Sequence, residues 1–244
     1  VIRGIAFTTS VPAGTQTVVV SDTYSPQTVT AYVNKSTGIL YLASTASQIR
    51  MNQDSMEMFR HMKALADAGS LTKLDMSNVK RMDLMFCGCG FKNLSSFSGW
   101  NVSGIESLSS MFSNCPDLTS LAGLERWDIS GTDNISDMFS YCWKLADISA
   151  LSGWNVSKVT GMYRLFHECR SLKNLDALSR WNTASVVNMG EMFYFCTGLT
   201  SASGINNWNI SRVTSFERMF YACSVHPNFT KRAGTWELGT FKPK

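Results

Sequence analysis

Residues 154–180 read WNVSKVTGMYRLFHECRSLKNLDALSR, and how this stretch is read decides the fold. Its tryptophan belongs to a series, Trp100, Trp127, Trp154, Trp181 and Trp208, with a constant step of 27 residues. Cys115, Cys142, Cys169, Cys196 and Cys223 keep the same step, always 15 residues after a Trp. Phe112, Phe139, Phe166, Phe193 and Phe220 keep it too. Three residue types locked to one period mark a tandem repeat, in which each unit buries its apolar face only by stacking on its neighbours.

Within the stretch, Trp154, Asn155, Val156 and Ser157 alternate apolar and polar, which predicts a short strand with the ring and the Val turned inward. Val159, Met162, Leu165, Phe166 and Cys169 then follow the 3.6-residue stripe of about two helical turns. Leu172, Leu175 and Leu178, in steps of three, predict a tight 3₁₀-like or extended arm returning to the next Trp. The expected fold class is an α/β repeat solenoid, a superhelix of about six turns, each a short strand, a short helix and a leucine arm.

The phrases WNVSGIESLSSMFSNCPDLTSL (100–121), WNVSKVTGMYRLFHECRSLKNL (154–175) and WNISRVTSFERMFYAC (208–223) resemble the BspA-like leucine-rich repeats of bacterial surface proteins, a repeat also found in mycoplasma lipoproteins. The resemblance covers about residues 71–223 and weakens at both ends. It implies a curved, right-handed leucine-rich-repeat solenoid on a secreted or cell-surface bacterial protein, used for adhesion or capture of a host protein. It carries no catalytic motif. The arm LTSLAGLERW (118–127) is longer than in the commonest repeats, so curvature is not transferred.

Outward from the repeats, residues 1–50 predict an N-terminal β cap, because Ile2–Phe7, Val18–Val20, Val29–Val33 and Ile39–Leu42 are rich in β-branched and aromatic residues. Lys35–Gly38 reads as a hairpin turn between two of these strands. Residues 51–70 predict a degenerate first turn with a capping helix over 54–67, started by Asp54 or Ser55. Met58, Phe59, Met62 and Leu65 lie on one face of that helix, which stops near Gly69. Residues 71–223 hold the repeats, and 224–244, with Trp236 and Phe241, predict a C-terminal cap.

Composition restricts the function classes. A chain with 44% apolar and 16% charged residues supports one elongated core. A net charge of +4 without a Lys/Arg-rich run gives no stripe to track phosphates, so nucleic acid is not an expected partner. No apolar run reaches the ~18 residues of a transmembrane helix, so direct membrane insertion is not expected. No signal peptide or anchor is read at either end, and the chain is expected to be a domain of a longer protein, its export implied by the resemblance alone. A monomeric domain is expected.

The cysteine register predicts a buried ladder of reduced thiols; zinc is disfavoured, because a 27-residue spacing is no finger and no His repeats beside it. Cys87 is off-register and is the candidate for an exposed, reactive thiol. Most methionines fall on repeat positions and predict core. His167–Glu168 reads as a solvated surface pair. Asn101, Asn155 and Asn209 share their register with Asp128 and Asn182, which favours hydrogen bonding from turn to turn over glycosylation of these N-x-S sequons and of Asn134. No signature of a catalytic site is present, and neither an enzyme, a cofactor nor a metal is expected.

What is left is the surface. Large aromatics occupy off-core registers at Tyr141, Trp143, Tyr163, Tyr194, Phe195 and Tyr221, with Arg164, Arg170 and Arg218 around them. Tyr, Trp and Arg anchor interfaces, so these nine residues form the candidate binding patch. The alternative is that Tyr194 and Phe195 tuck beneath the adjacent arm. With the resemblance, the patch implies a host extracellular protein as partner: fibronectin, fibrinogen or an immunoglobulin. The other function classes are a structural spacer and a glycan-binding accessory domain, the latter using exposed rings with Asp137, Asn114 and Asn188.

Overall fold

The computed structural model describes residues 2–19, 28–66, 68, 71 and 73–244. At the N-terminal end, β1 (Gly4–Thr8), β2 (Val18–Val19), β3 (Thr30–Asn34) and β4 (Ile39–Ala43) form a sheet in the order β1-β4-β3-β2. β1 runs parallel to β4, and β3 and β4 form an antiparallel hairpin with Tyr32 opposite Tyr41. The turn between them is the one expected at Lys35–Gly38; Asn34 Oδ1 accepts the Ser36 N–H, and Gly38 has φ 72°. Ile5, Val29 and Leu42 are buried and join the apolar core of the chain. β5 (Ile49–Arg50) pairs parallel with β6 (Leu74–Asp75) and starts the stacking.

From there each 27-residue coil lies against the next. Parallel bridges step through Asp54, Arg81, Ser107, Asn134, Gly161, Asn188 and Ser215. In the coil that begins at Trp154, the N–H groups of Met162, Arg164, Phe166 and Glu168 donate to the carbonyls of Asn188, Gly190, Met192 and Tyr194, at 3.0, 3.0, 2.9 and 2.7 Å. Leu165, His167 and Cys169, which lie between them, donate back to Met162, Arg164 and Phe166. Alternate residues thus bond forward to the next coil and backward within their own.

This pattern corrects the expected short helix. Arg164 and Glu168 have φ of 55° and 62°, left-handed conformations that interrupt any α-helix. The same two positions are left-handed at Ser110 and Asn114, Asp137 and Tyr141, Glu191 and Phe195, and Arg218 and Ala222. Met162, Leu165, Phe166 and Cys169 still point inward, but on a chain of tight turns. So short a stretch nucleates a helix poorly on its own, and the carbonyl row one coil ahead offers its N–H groups better partners.

The helix expected over 54–67 is absent for the same reason. Ser55, Glu57, Phe59 and His61 donate to Arg81, Asp83, Met85 and Cys87, and Glu57 and His61 are left-handed. Its expected stop at Gly69 lies outside the described residues. The short strand expected at Trp154–Ser157 is corrected too: Trp154 and Val156 are buried, as the alternation implies, but Asn155 Oδ1 takes the Ser157 N–H at 3.1 Å and turns the chain. The leucine arm is a 3₁₀ turn, at Ser95–Phe97, Ser149–Gly153, Asp176–Leu178 and Ser203–Ile205.

The core is a set of files in which like residues meet. Phe139, Phe166 and Phe193 stack with centroids 5.8 and 5.7 Å apart. The indole N–H of Trp127, Trp154, Trp181 and Trp208 each donates, at 2.9–3.0 Å, to a carbonyl of the preceding arm, 30 residues earlier. The thiols of Cys89, Cys115, Cys142, Cys169, Cys196 and Cys223 each donate to the carbonyl of a core Phe one coil back, at 3.0–3.5 Å. All the cysteines are free, and burial pushes Cys89, Cys142 and Cys223 up to about 12, which keeps the file neutral.

Two further expectations are overturned. Cys87 is not an exposed thiol: it is 6% exposed, and burial raises its pKa against the opposing effect of Arg60, so little nucleophilic thiolate forms. The Asn/Asp register does not bond from turn to turn. Asn101, Asp128, Asn155, Asn182 and Asn209 each accept the N–H two residues on, at 3.0–3.3 Å, which is the local Asx turn these short side chains favour.

At the C-terminal end β7 (Gly234–Glu237) and β8 (Thr240–Pro243) form a hairpin whose turn, Leu238–Gly239, is left-handed at both residues. The Phe220 N–H donates to Gly239 O and the Arg218 N–H to Thr240 Oγ1, both at 2.9 Å. In earlier coils these groups bond to the coil ahead, so the hairpin supplies what a further coil would. Trp236 packs on Phe220, Phe229 and Phe241 and donates its indole N–H to Pro227 O.

Candidate functional site

The turns that set the core Phe inward also set the next two residues on the outer corner of each coil. One residue after the Phe file stand Ser140, His167, Tyr194 and Tyr221 on consecutive coils. Their rings form a second file: His167 stacks on Tyr194 with centroids 4.7 Å apart, and Tyr194 on Tyr221 at 5.1 Å. Tyr141 leans on His167 at 4.9 Å, and Phe195 touches both Tyr194 and Tyr221. Tyr141 and Tyr221 are exposed, and Tyr194 and Phe195 are half-buried. The ring contacts of these last two run along the file.

Beside the rings runs a file of charge. Two residues before each Phe the chain has Asp137, Arg164, Glu191 and Arg218, alternating in sign. Arg164 Nε donates to Glu191 Oε2 at 2.7 Å, and its guanidinium lies 4.9 Å from the centre of the Tyr163 ring. Arg170 Nε donates to Glu168 Oε2 at 2.7 Å, and its guanidinium stands 6.0 Å from the Trp143 ring, which is 45% exposed. Arg218 is exposed and holds only its backbone bond to the hairpin.

His167 is not the solvated partner of Glu168 that the sequence suggests. It is 4% exposed, and its Nε2 lies 3.4 Å from Glu191 Oε2. Its Nδ1 and the Ser140 hydroxyl, one coil back in the same register, are buried without a hydrogen-bond partner among the described residues. Burial lowers the His167 pKa, and Arg164 adds to the effect, so the ring is neutral at pH 7. Ser140, His167 and Glu191 are residue types that serve nucleophilic catalysis, but the Ser140 side chain is wholly enclosed and no substrate carbonyl reaches it.

Asp137 is pushed up to about 6 by burial, against the pull of Arg164. A carboxyl whose folded pKa lies above its unfolded one binds more protons when folded, so between about pH 4 and 6 its contribution to stability falls as pH rises. Asp137→Asn is therefore expected to melt higher than the wild type at pH 7.5 and level with it at pH 4. Melting curves at the two pH values check this, and an equal shift at both would show that ionisation is not the cause.

Of the nine residues the sequence singles out, Tyr141, Tyr194, Phe195 and Tyr221 share the ring file. Arg164 and Tyr163 lie beside it, and Trp143 and Arg170 form a neighbouring pair linked through Glu168. Arg218 ends the charge file. Asp137, His167 and Glu191 escaped the sequence reading. Their signal was the alternation of sign at one repeat register, which is visible only once that register is known to face outward. Of the glycan-type residues, Asn188 spends its Oδ1 on the Gly190 N–H.

Among the described residues no helix is long and apolar enough to cross a membrane. Neither a curated protein nor a solved structure matches the chain. Two overlapping segments, residues 53–150 and 144–242, match one family, and together they take in every coil and the C-terminal hairpin. By this repeated match the chain belongs to the family described as Mycoplasma protein of unknown function, DUF285.

Proposed function

We propose that this chain is a right-handed solenoid of the leucine-rich-repeat type, akin to BspA-like repeats, and the non-catalytic binding module of a secreted or cell-surface bacterial protein. Its partner is a host extracellular protein: a matrix or plasma protein such as fibronectin or fibrinogen, or an immunoglobulin. The solenoid reading is supported by the parallel bridges that recur one period apart. The binding reading is carried by one observation: rings at a register the core does not need form a continuous outer file from Tyr141 to Tyr221. A spacer has no use for such a file. A glycan platform needs open ring faces, and here most faces are turned to one another.

The test uses side chains that bear little of the core. Tyr141 and Trp143 are exposed, so the double variant Tyr141→Ser, Trp143→Ser should melt within a few degrees of wild type. Capture from plasma and matrix extract, with the bound protein identified by mass spectrometry, is expected to fall at least about tenfold. Undiminished capture by the folded variant would remove this face from the function.

A further inference from the structure

The C-terminal hairpin closes the backbone ladder of the last coil but leaves two of its side-chain files open. In the charge file each residue meets the opposite sign one coil on, as Arg164 meets Glu191. Glu191 is taken by Arg164 and His167, and among the described residues Arg218 has no carboxylate within 4.0 Å. In the ring file Tyr221 meets Tyr194 and Phe195, both from the preceding coil, and among the described residues no ring covers its other side. The hairpin that follows brings neither an acid nor a ring to these positions. It brings Leu238, 80% exposed, in the turn whose Gly239 packs on the Tyr221 backbone.

We propose that Arg218, Tyr221 and Leu238 form a docking site for an acidic–aromatic segment of a partner protein, a carboxylate pairing with Arg218 and an adjacent ring stacking on the open face of Tyr221. The inference rests on the reading of the outer face as a protein-binding surface and names the chemistry recognised at its end. The segment continues both registers by one step, so the geometry it meets is the one the chain already repeats. An exposed arginine recognises a carboxylate through paired N–H donors, and a ring against a ring adds orientation. Leu238 gives the partner an apolar rim.

The probes are three short peptides, acetyl-GSDYSG-amide and its GSNYSG and GSDASG counterparts, titrated into the ¹⁵N-labelled chain and followed by amide chemical shifts. The first peptide is expected to shift the amides of residues 218–222 and 238–240. Its affinity should fall at least about fivefold when either the carboxylate or the ring is removed, and equally on Arg218→Gln. Raising salt from about 50 to about 300 mM should weaken it as well. Because Tyr221 also stacks on Tyr194, Tyr221→Leu serves as the ring variant, keeping bulk while losing the aromatic face. Shifts confined to other coils, or an affinity within twofold on Arg218→Gln, would overturn the proposal. The Tyr141→Ser, Trp143→Ser variant should bind the peptide as wild type does. Loss of host-protein capture in that variant, with no peptide binding to any form, would refute the end site and leave the broader reading standing.

Discussion

Phe166→Ala is expected to destabilise the chain by about 3–5 kcal/mol, the usual cost of emptying a buried phenylalanine site. Phe166 is wholly buried, with Phe139 on one side and Phe193 on the other. Its carbonyl also accepts the Cys196 thiol at 3.1 Å, so a backbone shift into the void would disturb the sulfur file as well. The neighbouring coils collapse poorly around the gap, because each is pinned to the next by a ladder of N–H bonds. In a linear array stability is a sum of unit and nearest-neighbour terms, so a central lesion uncouples the coils on either side of it. Urea unfolding followed by tryptophan fluorescence should show a lower midpoint and a shallower slope, as the two halves separate. Trp143→Ala, at an exposed ring, should cost less than about 0.5 kcal/mol. A Phe166→Ala cost no larger than that would mean that the ring file does not hold the coils together.

The period, the inward registers and the reduced thiols were legible because they depend on residue type alone. Phe, Cys and Trp at a step of 27 admit one arrangement, like upon like. The backbone between them was not legible. Met162, Leu165, Phe166 and Cys169 sit at spacings that fit a helix and fit the observed turns equally well, since both bring these four side chains to one side. What separates the two is the left-handed pair, and its sequence mark is faint. Ser110, Asn114 and Asp137 are tolerable there, whereas Arg164, Glu191, Tyr141 and Phe195 are not the residues such positions choose when isolated. They are held there by hydrogen bonds to another coil, a partner 26 residues away that no local window contains. The same distance hid part of the candidate site. Tyr141 and Tyr221 could be picked out as misplaced aromatics, but His167 became interpretable only once Glu191 was beside it.

Gly239→Ala is expected to free the C-terminal hairpin from the last coil, at a cost of about 3 kcal/mol or more. Two causes combine. Gly239 has φ 72°, where an alanine costs about 1–2 kcal/mol. A Cβ there would also fall within 3.0 Å of the Tyr221 and Phe220 backbones, which cannot yield as a flexible side chain can. Gly14 separates the two causes: its φ is 75°, and a Cβ there meets nothing within 4 Å. Gly14→Ala should therefore show the conformational cost alone. The additional loss at Gly239 measures how firmly the hairpin stands in for a further coil. Amide exchange locates it, because the Phe220 N–H loses its acceptor when Gly239 moves away, whereas the Phe193 N–H keeps Met219 O. Fast exchange at Phe220 with Phe193 still protected is the expected pattern. Equal costs at the two glycines would mean that the hairpin closes nothing, and that Leu238 is not held beside Tyr221 by the fold.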